Sequence, residues 1–302
     1  HRHGVASIRL LLKMATGWVD CGPALPDGFS AGSREWAGSA VFAPSSGEVT
    51  LYFTAAGRRG ETTASFEQRL FETTGTLSFE GGAAAISNWS TPRESFVSDD
   101  EIYVRVDQTE GVPGEIKAFR DPAYFRDPAD GAEYLLFTAS LKGSKSAFNG
   151  AVGIARRSVA GWSLMPPLVH ADGLNNELER AHVVVHAGLY YLFWSTQRRV
   201  FDPSGPSGPN GLYGMVAPTL FGPYKPLNGT GLVAANPTEE PLQAYSWWVQ
   251  PSLDVISFID HWGLQGRSFE VHPELLRQQF GGTPAPVFRI TLDGDRATVA
   301  LS

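Results

Sequence analysis

The chain is poor in cysteine, long apolar runs, basic charge and helical periodicity, and each shortage removes a class of protein from consideration. Cys21 is the only cysteine, so neither an intrachain disulfide framework nor a multi-thiolate metal site can form. The longest apolar stretch, Ala181 to Trp194, is interrupted by His186 and Gly188 and falls short of the ~18 to 20 residues of a membrane span. No membrane partner is expected. Net charge is -7 and no run of five like charges occurs, so the electrostatic footprint of nucleic-acid binding is missing as well. The seven histidines show neither HExxH nor a paired-ligand spacing, and neither GxSxG nor a phosphate-cradling glycine loop is present. A neutral small-molecule partner fits, with no metal and no cofactor expected.

What the chain does have is 33 glycines, 21 prolines and 12% aromatic residues in 302 positions, a composition that favours many short strands joined by tight turns. Helices of two or three turns are predicted only at Ser65 to Thr74 and His272 to Phe280, the latter because Leu275, Leu276 and Phe280 share a helical face. One pattern recurs three times: an acid-bearing tag, a short apolar strand, a turn, and an aromatic-rich strand. The copies are "REWAGSAVFAPSSGEVTLYFTA", "FRDPAYFRDPADGAEYLLFTA" and "LERAHVVVHAGLYYLFWST". Each reads as a hairpin, with turns at Ser45-Ser46-Gly47, Pro128-Ala129-Asp130-Gly131 and His186-Ala187-Gly188. Radially repeated hairpins are the signature of a β-propeller, and five blades of roughly 60 residues would use this length in a single domain, 1–302. The fold class is therefore all-β.

The middle copy carries Arg-Asp-Pro twice. Arg120-Asp121-Pro122 opens the strand, where a proline can forgo a ladder donor, and Arg126-Asp127-Pro128 leads into the Asp-Gly turn. Six residues at ~3.3 Å each set the two aspartates roughly 20 Å apart, too far for one active site. Asp121 lies level with Glu35 and Glu179 of the other copies, while Asp127 is a turn aspartate.

Carboxylates gathered at the inner ends of the blades suit glycoside hydrolysis, which uses one acid as proton donor and another as nucleophile or base. Glu179 is the candidate acid, its proton affinity raised by neighbouring carboxylates. Glu177 lies two residues away on the same side. Singly, such tags are ordinarily surface ion pairs or turns; three in register make the catalytic reading. Arg34, Arg120 and Arg180 accompany the acids and are candidates to bind sugar hydroxyls or orient carboxylates, though Arg34 equally suits a blade-to-blade ion pair. Trp36, Trp194, Trp247 and Trp248 could offer faces to sugar rings, and Tyr245 a hydroxyl, although most aromatics of an all-β protein are core.

Taken together, "SREWAGSA" (33–40), "FRDP" (119–122), "NNELERAHV" (175–183), "YGMV" (213–216), "FGPYKPLNGTGLV" (221–233) and "QAYSWWV" (243–249) resemble glycoside hydrolase family 68, the levansucrases, inulosucrases and related β-fructofuranosidases. The resemblance implies a five-bladed propeller that cleaves sucrose with retention through a fructosyl-enzyme intermediate, passing fructose to water, sucrose or fructo-oligosaccharides. It implies that Asp121 steadies the transition state, that Glu179 is the general acid, and that Trp36, Arg120, Glu177, Arg180 and Tyr245 contact substrate. Extracellular or periplasmic location is implied in the same way.

Several residues depart from the family pattern. No Trp-Asp-Thr-Trp-like nucleophile motif precedes Glu35-Trp36, Asp20 in "GWVDCG" is not a match for it, and the chain opens at His1 without an initiator methionine. The expectation is that the first blade is incomplete and that the nucleophilic aspartate comes from an upstream N-terminal segment, either missing from this chain or supplied as a separate piece. Ala37 replaces a serine, Gln197 and Trp247 replace residues frequent around acceptor subsites, and Asn176 replaces an aspartate associated with calcium. Hydrolysis or short oligosaccharides are expected over long polymer. The alternatives are a sucrose- or fructan-binding propeller without catalysis, and a relative acting on another furanoside such as arabinan.

Overall fold

A computed structural model describes residues 2–106 and 111–300. Four antiparallel sheets of four or five strands follow one another along the chain, a propeller-like arrangement of four blades, and a separate two-stranded hairpin pairs Arg9–Met14 with Gly17–Pro23. Five blades are expected from the chain length; four are found among the described residues.

The first blade is Arg34–Ala43, Glu48–Ala56, Gln68–Glu80 and Ala83–Ser87, with Arg93–Phe96 added to the third strand. The second runs through Phe119–Arg126, Glu133–Ser140, Gly150–Ser158 and Gly161–His170. The third contains Glu179–His186, Leu189–Thr196, Gly211–Ala217 and Lys225–Pro226, with Leu232–Ala235 beside its third strand. The fourth has Ala244–Val249, Asp254–His261, Phe288–Asp293 and Arg296–Ala300, with Phe280–Pro284 on its second strand. The first strands of consecutive blades lie side by side.

All three sequence-derived hairpins are present, each closing at the turn expected of it. In the third, Ala187 and Gly188 both have positive φ, 49° and 77°, as a two-residue turn matched to strand twist requires. Second strands are buried between neighbouring blades, so they read as continuous apolar runs and not as alternation. The cores are the seams themselves. Tyr52, Leu70, Phe119 and Phe137 fill the first seam, Leu136, Ile154, Leu192 and Trp194 the second, and Tyr191, Phe193, Trp247 and Val255 the third. Each fully buried large side chain contributes roughly 1.5–3 kcal/mol.

Two helical expectations fail. Ser65 to Thr74 enters the long strand from Gln68, because pairing on both sides and burial of Leu70 and Phe71 outweigh a helical spacing. His272 to Phe280 keeps one turn, Leu275–Gln278; only Leu275 is buried, while Leu276 is exposed and Phe280 begins a strand.

Candidate active site

The first strands carry the site because each is interrupted by a β-bulge near its start. In the second blade the register skips between Arg120 and Ala123, in the third between Glu179 and His182, and in the fourth between Tyr245 and Trp248. The extra residue lets the strand turn through a left-handed position: Asp121, Arg180 and Ser246 have φ of 61°, 54° and 59°. Such conformations are strained for residues other than glycine and cluster where function demands a particular aim. The register corrects the sequence alignment by one position. Glu179 is level with Arg120 and Tyr245, while Asp121 is level with Arg180.

Arg120, itself buried, gathers the carboxylates. Its Nη2 donates to Glu177 and, at 3.2 Å, to Oε1 of Glu179, and its Nε lies 3.6 Å from Oδ2 of Asp121. On the other side the Tyr245 hydroxyl donates to Oε2 of Glu179, and Gln197 borders that hydroxyl. Arg180 adds a second positive charge near Asp121 and Glu179. Hence Asp121, Glu177, Glu179, Arg120, Arg180, Gln197 and Tyr245 are brought together as the motifs imply.

Three carboxylates against two guanidiniums in a dry site cannot all be charged alike. Burial raises the proton affinity of Asp121, against the pull of Arg120 and Arg180. Burial and then the charge of Glu179 raise that of Glu177. For Glu179 burial acts the same way, but Arg120, the Tyr245 hydroxyl and Arg180 outweigh it and favour the charged form. The expectation that Glu179 has raised proton affinity is thereby corrected: of the two glutamates it is Glu177 whose proton affinity is raised, while that of Glu179 is lowered. The Tyr245 phenol is pushed well above its ordinary range by burial and the adjoining carboxylates, so it stays a donor.

The remaining candidates make contacts of their own outside the carboxylate cluster. Glu35 accepts the N–H of Ile8 at 3.1 Å and fastens the chain's own N-terminal stretch; it does not join the carboxylate cluster. The Trp36 ring lies against His3 and Phe66, with its indole N–H donating to the carbonyl of His3 at 3.3 Å. Arg34 is tied to Glu61 and the Ser65 carbonyl within the first blade. Trp194 and Trp247 are core residues, and Trp248 stacks on His182 at 4.1 Å. Asp127 is a turn residue, as expected: its Oδ1 accepts from Ala129 N–H at 2.9 Å and from the Tyr190 hydroxyl at 2.6 Å. Asp20 pairs with Arg9 at 2.7 Å on the exposed hairpin. Asn176 uses its amide on Ala147 and its carbonyl on Gly114, and no group of three metal-ligating side chains occurs among the described residues.

Sequence reasoning missed His182. Its Nε2 accepts the Val249 N–H at 2.8 Å and its Nδ1 faces the Arg180 carbonyl at 2.9 Å, so it joins the third and fourth blades directly behind the site. Burial lowers its pKa to about 4, which keeps the ring neutral. The available signal was a lone histidine inside an apolar strand.

The sequence matches the family described as Levansucrase/Invertase over residues 1–154 and 144–302. It is 32% identical over 325 residues to levansucrase LscB of Pseudomonas savastanoi pv. glycinea, covering 99% of this chain and 70% of that protein. Against levansucrase LscC of the same organism it is 33% identical over 308 residues, covering 93% of this chain and 66% of that protein. Among solved structures, an inulosucrase from Halalkalicoccus jeotgali bound to kestose superposes with a TM-score of 0.88 at 38% identity, over 98% of this chain and 77% of that one. The chain thus spans between 66% and 70% of these two curated relatives. By sequence over nearly its whole length and by fold, the chain belongs to glycoside hydrolase family 68, the levansucrase and invertase family.

Proposed function

We propose that these residues form the greater part of the active site of a retaining β-fructofuranosidase and fructosyltransferase acting on sucrose. The observation that carries this reading is the single guanidinium of Arg120 holding Asp121, Glu177 and Glu179 together at the inner ends of two adjacent blades, with Tyr245 closing on Glu179 from a third. Glu179 is the general acid and the least enclosed of the three carboxylates. When a sugar takes over bonds from Arg120 and Tyr245, the charged form of Glu179 loses its support and its proton affinity rises, as a general acid requires. Asp121 accepts fructosyl hydroxyls and opposes the positive charge of the oxocarbenium-like transition state. Arg120, Arg180, Gln197 and Trp36 shape the sugar site.

The attacking carboxylate is assigned to a separate segment, because Asp121, Glu177 and Glu179 are engaged in these roles and Asp20 is paired on an exposed hairpin. The fructosyl-enzyme so formed passes fructose to water, sucrose or short fructans. A fifth blade belongs to the same proposal, and the hairpin Arg9–Pro23 is β-structure from which it could be built. Action outside the cytoplasm follows the same reading; no helix among the described residues is long and apolar enough to cross a membrane.

The test is glucose release from sucrose by the native protein beside its Glu179→Gln variant. Loss of about 10²–10⁴-fold in turnover with sucrose affinity retained is expected of a general acid. Sucrose binding without cleavage in the wild type would leave a sugar-binding propeller instead.

A further inference from the structure

The second strands of the first three blades carry similar stretches near their ends, Leu51-Tyr52-Phe53-Thr54, Leu135-Leu136-Phe137-Thr138 and Leu192-Phe193-Trp194-Ser195. The three hydroxyl residues hold equivalent register positions, opposite Trp36, Arg120 and Glu179, and all are fully buried. None of the three hydroxyls serves only its own blade. Thr54 Oγ1 accepts the N–H of Asp121 at 2.9 Å, Thr138 Oγ1 that of Arg180 at 3.1 Å, and Ser195 Oγ that of Trp247 at 3.0 Å. A bulge leaves its extra residue without a ladder partner, and a buried N–H left so would cost as much as a lost hydrogen bond. The preceding blade supplies the acceptor. In the fourth blade the same position, opposite Tyr245, is Phe258, which has no hydroxyl to offer.

Thr138 does more than the other two. Its Oγ1 also lies 3.0 Å from Oδ2 of Asp121 and 3.2 Å from the Leu178 carbonyl. A hydroxyl has one proton, and a carboxylate is the stronger acceptor, so the donated bond goes to Asp121. One atom therefore receives the backbone of the third blade next to Glu179 and grips the side chain of Asp121 in the second.

We propose that Thr138 is a positioning residue for the reaction: its hydroxyl locks the plane of the Asp121 carboxylate to the bulge that carries Glu179, fixing the two across the seam between blades. This rests on the fructosyl-site reading above. Arg120 supplies charge to the same groups on a flexible stem, whereas Thr138 supplies direction from a short side chain in a fully buried strand. Because the aim of Asp121 matters most when charge develops on the sugar, the effect falls on turnover and not on affinity.

The experiment compares Thr138→Val and Thr138→Ser in the native protein, with kcat and KM for glucose release from sucrose. Valine keeps the volume and removes the hydroxyl; kcat should fall about 10- to 100-fold with KM within about 2-fold, and serine should restore kcat to within about 3-fold. Thr138→Cys, of similar size but a weak donor, is measured alongside in case the valine variant does not fold, and should fall between them. Thr73→Val, which removes a buried hydroxyl bonded to the Ser90 carbonyl at 2.6 Å away from the site, controls for stability and should leave kcat unchanged. An active wild type whose folded valine or cysteine variant keeps full kcat, or whose serine variant is as impaired as valine, overturns the proposal alone. A wild type that binds sucrose without cleaving it removes the catalytic reading, and this proposal with it. A wild type that neither binds nor cleaves sucrose removes both the site reading and this proposal.

Discussion

The two Arg-Asp-Pro tripeptides allow one substitution to be made twice with opposite consequences. Asp121→Asn removes a charge from the carboxylate cluster proposed to face the sugar; Asp127→Asn removes a charge from a turn. At Asp127 a single oxygen accepts from the Ala129 N–H and the Tyr190 hydroxyl, in a residue that is only 7% exposed. Asparagine retains that acceptor, so each bond drops from the charge-assisted range of about 1.5–3 kcal/mol to the neutral range of about 0.5–1.5 kcal/mol. The sum is about 2 kcal/mol, and Asp127→Ala should cost more because the buried Tyr190 hydroxyl is then left without this acceptor. For a chain of this size about 2 °C is lost per kcal/mol, so Asp127→Asn should lower Tm by about 4 °C. Turnover per folded molecule should be unchanged. Asp121→Asn should lose on the order of 10²-fold or more in kcat, as removal of a group that stabilises transition-state charge does. Calorimetric melting and sucrose cleavage at matched folded fraction decide the matter. If Asp127→Asn abolished turnover with its fold intact, or Asp121→Asn left turnover alone, the separation of the two tripeptides into site and turn would be wrong.

Two further substitutions probe the proton arrangement. In Tyr245→Phe the charged form of Glu179 loses a donor, so its pKa rises; because the acid works protonated, the alkaline limb of kcat/KM should move to higher pH while the maximum falls roughly 10-fold. A limb moving to lower pH would contradict the assignment of Glu179. His182→Gln concerns stability. The folded ring titrates at about 4 and the unfolded one near 6.5, so between those values only the unfolded chain gains the proton and stability falls as pH drops, by up to about 3 kcal/mol from this group. Glutamine cannot take up that proton, and the urea-unfolding advantage of wild type over variant should shrink from pH 7 to pH 4; a constant difference would mean the ring is not buried neutral.

The repeated tags and hairpins were legible because a strand's period and its turn chemistry are local. Ser45-Ser46-Gly47, Asp130-Gly131 and Ala187-Gly188 close turns that local composition dictates. Gln68 to Thr74 was not legible, since its burial comes from a strand on either side and not from its own spacing. Nor was the fate of Glu35, which depends on where Ile8 returns in space. The tryptophans divide in the same way: nothing local distinguishes Trp36, near the N-terminal turn, from Trp247, inside a seam.

The clustering of the candidate side chains was legible in the motifs, and their phase was not. Aligning the copies by their acids put Asp121 level with Glu179, whereas the structure puts it level with Arg180. Bulges alone do not cause the offset, since both first strands carry one at the same place; the two blades use different positions of a shared bulge for their acids. In the third blade the carboxylate precedes the left-handed residue, and in the second it occupies it, so the two approach Arg120 from different backbone positions. That staggering lets one guanidinium meet both, and it makes the Tyr245 hydroxyl, level with Glu179 one blade further on, the natural second donor to that acid. A repeat whose acids occupied strictly equivalent positions would have no position level with Glu179 left for either Arg120 or Tyr245. The chemistry proposed here therefore depends on the copies having diverged at this position.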